Sequence, residues 1–309
     1  MPTHKLLARV GAGLLSILGA VTLVFILARL TGDPAELMSP PGAPQSQIDA
    51  TREQLGLDDP IVVQYLQFIG DAVHGDFGES YFWRDDAMSV VLDALPSTLL
   101  LATAATLFAV VVGVSFGMLA AFRHRKSVDR VLSAGAMIGQ SMPSFWLGPV
   151  LILLFAVKWQ LVPASGREGW RSIILPMLTL ASFQVAMLFR MTRASALDLL
   201  GQDIVRLARA KGAGEVRVAR SHVLRAAALP ILTLSGLALA TLIGGSVIAE
   251  SIFSWPGIGN LMIRAVEARD FPVVQAVALV FAVGFVTINT IVDLLYLVID
   301  PRLREGATS

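Results

Sequence analysis

The sequence predicts an all-α integral membrane protein with six transmembrane helices, and three observations carry that reading. Of 309 residues, 55% are hydrophobic and 15% charged, against roughly 25% charged in ordinary soluble domains, and the mean hydropathy is +0.70. The apolar residues fall in runs that meet or approach the length needed to cross a bilayer core, about 20 residues of helix for about 30 Å. Lys and Arg crowd some connections and avoid others, which is the asymmetry that sets orientation in a membrane. Collagen, disorder and a disulfide scaffold are excluded by composition. With no cysteine, thiolate metal sites and a Cys nucleophile are excluded as well. The balance of 24 basic against 23 acidic residues offers no general attraction for nucleic acid.

The spans are expected near 10–27, 97–122, 131–157, 174–191, 226–248 and 273–299. His4, Lys5 and Arg9 precede the first, as in a secretory signal, but Ala28-Arg29-Leu30 lacks a small-x-small cleavage site, so a retained helix is expected. Arg123, Arg125, Lys126 and Arg130 fill the second connection, and Arg190, Arg193, Arg206, Arg209, Lys211, Arg217, Arg220 and Arg225 the fourth. Both therefore belong on the cytoplasmic side. The first connection, 31–96, carries Arg52 and Arg84 against a long series of Asp and Glu, and belongs outside. Six spans then leave both termini cytoplasmic, in agreement with Arg302 and Arg304.

The outer connection is too long for a simple link and reads as a small extracytoplasmic subdomain. After a Pro/Gly-rich start, a helix is expected near 46–55, with Ser46 as its cap and Gly56 at its end. Asp59 and Pro60 then form an N-cap and first-turn pair ahead of a face made by Ile61, Tyr65, Phe68, Ile69 and Ala72. That face packs on the membrane helices, lies among headgroups, or docks an external partner. Within the spans, Gly113-x-x-x-Gly117 and Gly135-x-x-x-Gly139 have the spacing of close helix packing. Gln184, Asn289 and Asp293 are the polar candidates for a pathway lining. The favoured reading is interhelical hydrogen bonding for the first two, and snorkelling or an arginine partner for Asp293.

Catalytic chemistry is missing from the sequence. No Gly-Lys-Ser/Thr triplet is present to cradle a nucleotide phosphate. His4, His74, His124 and His222 are scattered, with no His-x-x-x-His pair for zinc, and all four fall in expected loops or at a terminus, away from any serine at membrane depth. No cofactor or metal site is expected in this chain.

The fourth connection is the most informative stretch. Ile204, Leu207, Ala208 and Lys211 are at helical spacing, Gly212-Ala213-Gly214 supplies a turn, and Val216, Ala219 and Val223 line a second short helix opposite Arg217 and Arg220. On the residues alone, such an element fits equally well a basic amphipathic helix resting on anionic lipid. Its particular residues, Ala208-Arg209-Ala210-Lys211-Gly212 with His222 and Leu229-Pro230 following, resemble the EAA loop of ABC importer permeases. The likeness narrows to the peptide-type permeases of dipeptide, oligopeptide and nickel importers, and runs through nearly the whole chain. It is carried by Gly32-Asp33-Pro34-Ala35, Leu55-Gly56-Leu57-Asp58, Gln64-Tyr65, Gly75-Asp76-Phe77-Gly78 and Leu95-Pro96-Ser97-Thr98. Near the C-terminus, Phe253-Ser254-Trp255-Pro256-Gly257-Ile258-Gly259, Arg269-Asp270-Phe271-Pro272 and Asp300-Pro301-Arg302 extend it. With its subdomain after the first span, the chain is similar to the dipeptide-permease B type.

The resemblance implies an architecture of 1–30 as the first helix, 31–96 as the outer subdomain, 97–300 as the permease core with a coupling loop at 192–225, and 301–309 as a cytoplasmic tail. It implies a non-catalytic subunit of a bacterial inner-membrane importer for dipeptides or short oligopeptides, working by alternating access. Nickel complexes and glutathione are the alternatives within the family, and a stand-alone secondary transporter the one outside it. The implied partners are a homologous second permease, two ATPase subunits holding ATP and Mg, an extracytoplasmic peptide-binding protein and membrane lipid, with no nucleic acid. Coupling to the ATPases falls to Asp203, Arg206, Leu207, Ala208, Arg209, Ala210, Lys211, Gly212, Ala213, Gly214 and Glu215. Arg206 and Arg225 stand where the general EAA pattern has Glu and Pro, so the role is assigned to the segment and not to one side chain. Phe253, Trp255, Pro256, Gly257, Gly259, Arg269 and Asp270 mark an outer loop that is either a lid or interfacial anchor, or a direct contact for substrate or binding protein.

Overall fold

A single apolar segment in lipid satisfies its own backbone N–H and C=O groups only as a helix, and the long apolar segments of the chain are helical. The computed structural model describes residues 3–31, 35–36, 42–54 and 56–299, the side chains of 3–10, 31, 54, 293 and 295–299 excepted. The helices are α1 (Thr3–Thr31), α2 (Gln45–Gln54), α3 (Ile61–His74), α4 (Ala87–Phe122), α5 (Ser127–Ser141), α6 (Ser144–Leu151, continued by a π-type turn over Ile152–Lys158) and α7 (Ile174–Leu200). They continue as α8 (Asp203–Ala210), α9 (Glu215–Gly245), α10 (Val247–Ile252), α11 (Ile258–Glu267) and α12 (Phe271–Ile299). Among the described residues there is no strand, only an isolated bridge between Glu79 and Asp86.

Among the described residues, five helices are long and apolar enough to cross a membrane, and the count reaches six if a bent pair is taken as one span. That pair corrects the expected straight span at 131–157: α5 and α6 meet at 106°. The cause is Pro143, which disfavours helical backbone at the residue before it, and Met142 is accordingly extended at φ −86°, ψ 118°. Three other spans run beyond an expected end. The second begins at Ala87, because Asp86 caps it by accepting from the Ser89 N–H at 2.8 Å. The fourth continues to Leu200, and the fifth starts at Glu215, so that His222, expected in a loop, lies on a helix.

The chain divides into two compact units. The first, Leu99–Trp255 with the chain from Phe285 onward, has a core in which Ala102, Ala105, Ala109, Ala181 and Ala227 surround Leu101, Leu188 and Trp255. Small residues let helix backbones approach, and Gly113 and Gly117 bring α4 onto α7. A Cβ on Gly113 would stand 2.8 Å from Leu188 Cβ, and one on Gly117 would stand 2.7 Å from the Phe189 carbonyl oxygen. The pair at 135 and 139 is not of this kind, since a Cβ on Gly135 meets nothing within 4 Å. Gly117→Ala is therefore expected to destabilise the subunit by ~1–3 kcal/mol, read as a lower melting temperature in detergent, whereas Gly135→Ala leaves it unchanged. Equal melting of the two variants refutes the contact.

The second unit comprises Pro2–Thr98 and Pro256–Gly284. Residues 31–96, read from sequence as a separate subdomain, thus share their unit with α11 and the first half of α12. Its core joins Val21, Ala72, Phe77, Val91, Ile258, Leu261 and Val277. Helix α3 packs on α1 as the aromatic residues dictate: Tyr65 Oη lies 2.7 Å from Thr22 Oγ1, and Phe25 contacts the rings of Tyr65 and Phe68 at 5.4 and 5.2 Å. Ile61, expected on the same face, is exposed. The caps also differ from expectation. Ser46 lies inside α2, and α3 is entered through Pro60 with no side-chain cap. The Gln64 amide holds that entry instead, donating to the carbonyls of Leu57 and Asp59 at 2.8 and 2.7 Å. Motif residues at 32–34, 55 and 300–302 lie outside the described residues.

Candidate functional site

The segment 203–215 is built as a short helix with one anchored and one open face. Val205 and Ala208 of α8 are buried with Ala121, Ala196, Val218 and Val223. Ile204 and Leu207 are 59% and 56% exposed, and Arg206, Arg209, Ala210 and Lys211 are exposed beside them. The expected face of Ile204, Leu207, Ala208 and Lys211 is thus corrected: Ala208 turns inward and the other three outward. A helix advances 3.6 residues per turn, so Ile204, Leu207 and Lys211 share one side, and Val205 and Ala208 the next. Val216, expected to pair with Val223, is likewise exposed, while Val218 takes the inner position.

Gly212 ends α8. It sits at φ +81° and donates to the Arg209 carbonyl at 2.9 Å, while Ala213 donates to the Ala208 carbonyl at 3.1 Å. These are the paired bonds of a Schellman ending, with Ala213 and Ala208 supplying its apolar contact. Across the turn, Arg209 donates to both oxygens of Glu215 at 2.9 Å, and Arg206 reaches Asp203 at 3.5 Å. Such exposed pairs contribute little stability; the two-pronged one fixes the angle between α8 and α9.

An ion pair absent from the sequence-level candidates ties α5 to α7. Arg193 donates to Asp129 through Nε at 2.7 Å and Nη2 at 2.9 Å. Asp129 is 4% exposed, and its carboxylate also accepts from the Arg125 N–H at 3.0 Å and lies 3.2 Å from His124 Nδ1. The available signal was a lone acid among Arg123, Arg125, Lys126 and Arg130.

The break between α5 and α6 borders a cavity of about 510 Å³. Ser141, Pro143 and Ser144 form one wall, Thr179 and Gln184 of α7 another, and Thr241 of α9 a third. Broken helices are tolerated at membrane depth where they line such a cavity. Gln184 is 5% exposed and donates to the Ala238 carbonyl at 3.2 Å. Asn289 instead turns back onto its own helix, donating to the Phe285 carbonyl at 2.9 Å, and is not in the cavity wall. The side chain of Asp293 lies outside the described residues.

The loop 253–270 does not present its aromatic residues. Phe253 and Trp255 are each 1% exposed, with Phe253 accepting at its carbonyl from the Gly166 N–H at 2.8 Å and the Arg167 guanidinium 5.9 Å from the Trp255 ring. The Trp255 side chain thus takes a core position in this structure. Gly257 and Gly259 are buried, while Pro256 and Arg269 are exposed. Asp270, wholly buried, accepts from Ser80 Oγ at 2.6 Å and the Phe82 N–H at 3.0 Å, pinning the turn at 80–86 to the start of α12. Burial, reinforced by the Asp270 carboxylate and opposed by Arg29, pushes the nearby Tyr81 phenol up to about 12. In the same unit the Thr98 hydroxyl accepts from the Ile258 N–H at 2.9 Å. Sequence reading also missed Glu250, wholly buried, which accepts from Ser246 Oγ at 2.8 Å.

Spanning helices, a broken helix over a cavity and a short helix with an open apolar face define a membrane-transport subunit. Residues 113–305 match the family described as the binding-protein-dependent transport system inner membrane component, and residues 4–102 match its N-terminal counterpart. The chain belongs to this family of ABC importer permeases. It is 41% identical over 283 residues to the glutathione transport system permease protein GsiC of Escherichia coli (strain K12) and to that of Shigella dysenteriae serotype 1 (strain Sd197), covering 91% of this chain and 92% of each relative. These relatives place it in the peptide-type class, whose permease subunits are non-catalytic. In fold it is similar to a chain of the MetNI methionine ABC transporter, at TM-score 0.56 and 19% identity, over 69% of this chain and 97% of that one. A chain of an amino acid ABC transporter matches at TM-score 0.50 and 19% identity, over 67% and 93%.

Proposed function

We propose that the chain is one of two unlike permeases through which an ATP-driven importer moves short peptides, delivered by an extracytoplasmic binding protein, into the cytoplasm. Glutathione, the cargo in the relatives' name, is itself a tripeptide and falls within this class. The observation that carries the reading is the 203–215 segment: a helix anchored through Val205 and Ala208 whose Ile204 and Leu207 remain open for a groove in a soluble partner. With the Lys/Arg-rich connections inside, that face points to the cytoplasm, both termini are cytoplasmic, and the loop at 31–96 faces the binding protein. Two ATPase subunits carrying ATP and Mg close on the segment and on its counterpart in the second permease. Their closure tilts α7 and α9, alternating access to the cavity between the two sides.

The test is ATP hydrolysis by the four-subunit complex in lipid, with binding protein added empty, loaded with a dipeptide, or loaded with glutathione. Stimulation by a loaded binding protein supports the importer reading, and the cargo that stimulates identifies the substrate. A chain that is purified with no ATPase and transports unaided returns the reading to a secondary transporter.

A further inference from the structure

A cavity of about 440 Å³ lies within the second unit, where three helices meet. α1 lines it through Val24, Leu27 and Ala28, α11 through Met262 and Val266, and α12 through its first turn, each at the three- and four-residue spacing that puts side chains on one side of a helix. The groove is open, since Leu27 and Val266 are 49% and 54% exposed. Its depth follows from the spans. That of α1 ends at Leu30 and that of α12 starts at Phe271, so at 1.5 Å per residue the α1 wall lies within about 9 Å of the membrane face.

Among the described residues Arg269 is the one charged group in the wall, and its side chain makes no hydrogen bond or ion pair. It stands just ahead of α12, at headgroup depth. The adjoining carboxylate is not its partner, because Asp270 is turned inward onto Ser80 and the Phe82 N–H. The turn runs through Arg269 at φ +54°, a backbone uncommon for a residue with a Cβ and of the kind that persists where a ligand is held. A second apolar helix would fill the groove and bring nothing for the guanidinium. A soluble acidic partner would reach the guanidinium and not the groove below it. A phospholipid supplies both parts, and a guanidinium matches phosphate oxygens with two donors at once. We propose that this groove holds one phospholipid of the surrounding membrane, with an acyl chain between α1, α11 and α12 and its phosphate on Arg269. The inference goes beyond the importer reading and does not depend on it.

The test is photolabelling of the assembled importer in nanodiscs that carry a trace of phosphatidylglycerol, phosphatidylethanolamine or diacylglycerol, each with a diazirine near the head of one acyl chain. Labelled peptides are identified by mass spectrometry. Leu14 is the control, being 62% exposed and three residues from the other end of the α1 span, as Leu27 is from its own. The expected result is that both phospholipids label Leu27 and Val266 well above Leu14, and diacylglycerol does not. Arg269→Gln lowers the groove label about tenfold, the low end for a hydrogen bond to a charged group, Arg269→Lys keeps most of it, and Val266→Trp removes it by filling the groove. Equal label at Leu14 and Leu27 reduces the site to ordinary boundary lipid and overturns the proposal, as does diacylglycerol labelling as strong as that by phospholipid. Label found in the isolated chain and lost on assembly gives the groove to the second permease and also overturns it. The wild-type comparisons decide even where a variant fails to fold, and no arm reads transport or ATP hydrolysis, so failure here leaves the importer reading intact.

Discussion

Gly212→Trp is expected to abolish uptake by the assembled importer while the subunit still inserts and folds. The two halves of that outcome have different causes. In the isolated chain Gly212 is exposed and nothing lies within 4 Å of a Cβ at this position, so a side chain added there leaves toward solvent and not into a core. The backbone is at φ +81°, where a residue with a Cβ costs ~1–2 kcal/mol, and at an exposed helix end that strain leaves the spans intact. The bulk matters only where a partner approaches, because Gly212 lies at the end of the face opened by Ile204 and Leu207. A series separates strain from collision. Gly212→Asn tolerates the left-handed conformation and retains most uptake, Gly212→Ala falls between, and Gly212→Trp has none. Rates that follow backbone preference alone, with Trp no worse than Ala, remove the docking role. Normal uptake by the Trp variant removes the segment's assignment altogether.

The same segment shows what a single sequence reveals and what it withholds. Gly212 is legible as a helix ending because few residues other than glycine adopt its backbone, which is a local requirement. Gly113-x-x-x-Gly117 only permits a close contact, since Gly135-x-x-x-Gly139 has the same spacing and Gly135 meets no neighbour. Which side of α8 is covered is not local: eight residues carry apolar groups on two adjacent sides, and the choice is made by Ala196, Val218 and Val223, which come from other helices. The break at Met142 and Pro143 was hidden for another reason. Hydropathy adds along the chain without regard to direction, so two short apolar helices meeting at 106° have the signature of one straight span. Trp255 illustrates the converse. Its Trp-Pro-Gly neighbourhood signals a turn, but burial of the indole depends on a core gathered from residues 101–249, which no pattern around position 255 contains.

Separating Asp129 from Arg193 is expected to disconnect the coupling segment from the cavity. Arg193 stands on α7 about 13 Å along the helix from Gln184, and the inner end of α7 packs through Ala196, Leu197 and Leu200 on the core that anchors Val205 and Ala208. Asp129 stands in the first turn of α5, whose far end is the break that borders the cavity. The pair therefore joins both cavity walls at the end nearest the segment, and a push on α8 carries α5 and α7 together. Arg193→Met leaves the Asp129 carboxylate without its two-pronged donor while its side chain is 5% exposed. Removing one member of a fully buried pair costs ~3–5 kcal/mol, and the loss here lies toward the lower bound because the arginine side chain is 27% exposed. In complexes that still assemble, peptide moved per ATP hydrolysed falls by about five- to a hundredfold, the range of a typical coupling free energy, while hydrolysis continues. A charge-reversed pair, Asp129→Arg with Arg193→Asp, recovers part of the lost transport if the link is electrostatic and mechanical. A lowered melting temperature with normal transport per folded complex makes the pair a support of the fold only, and the stroke must then reach the cavity through α9.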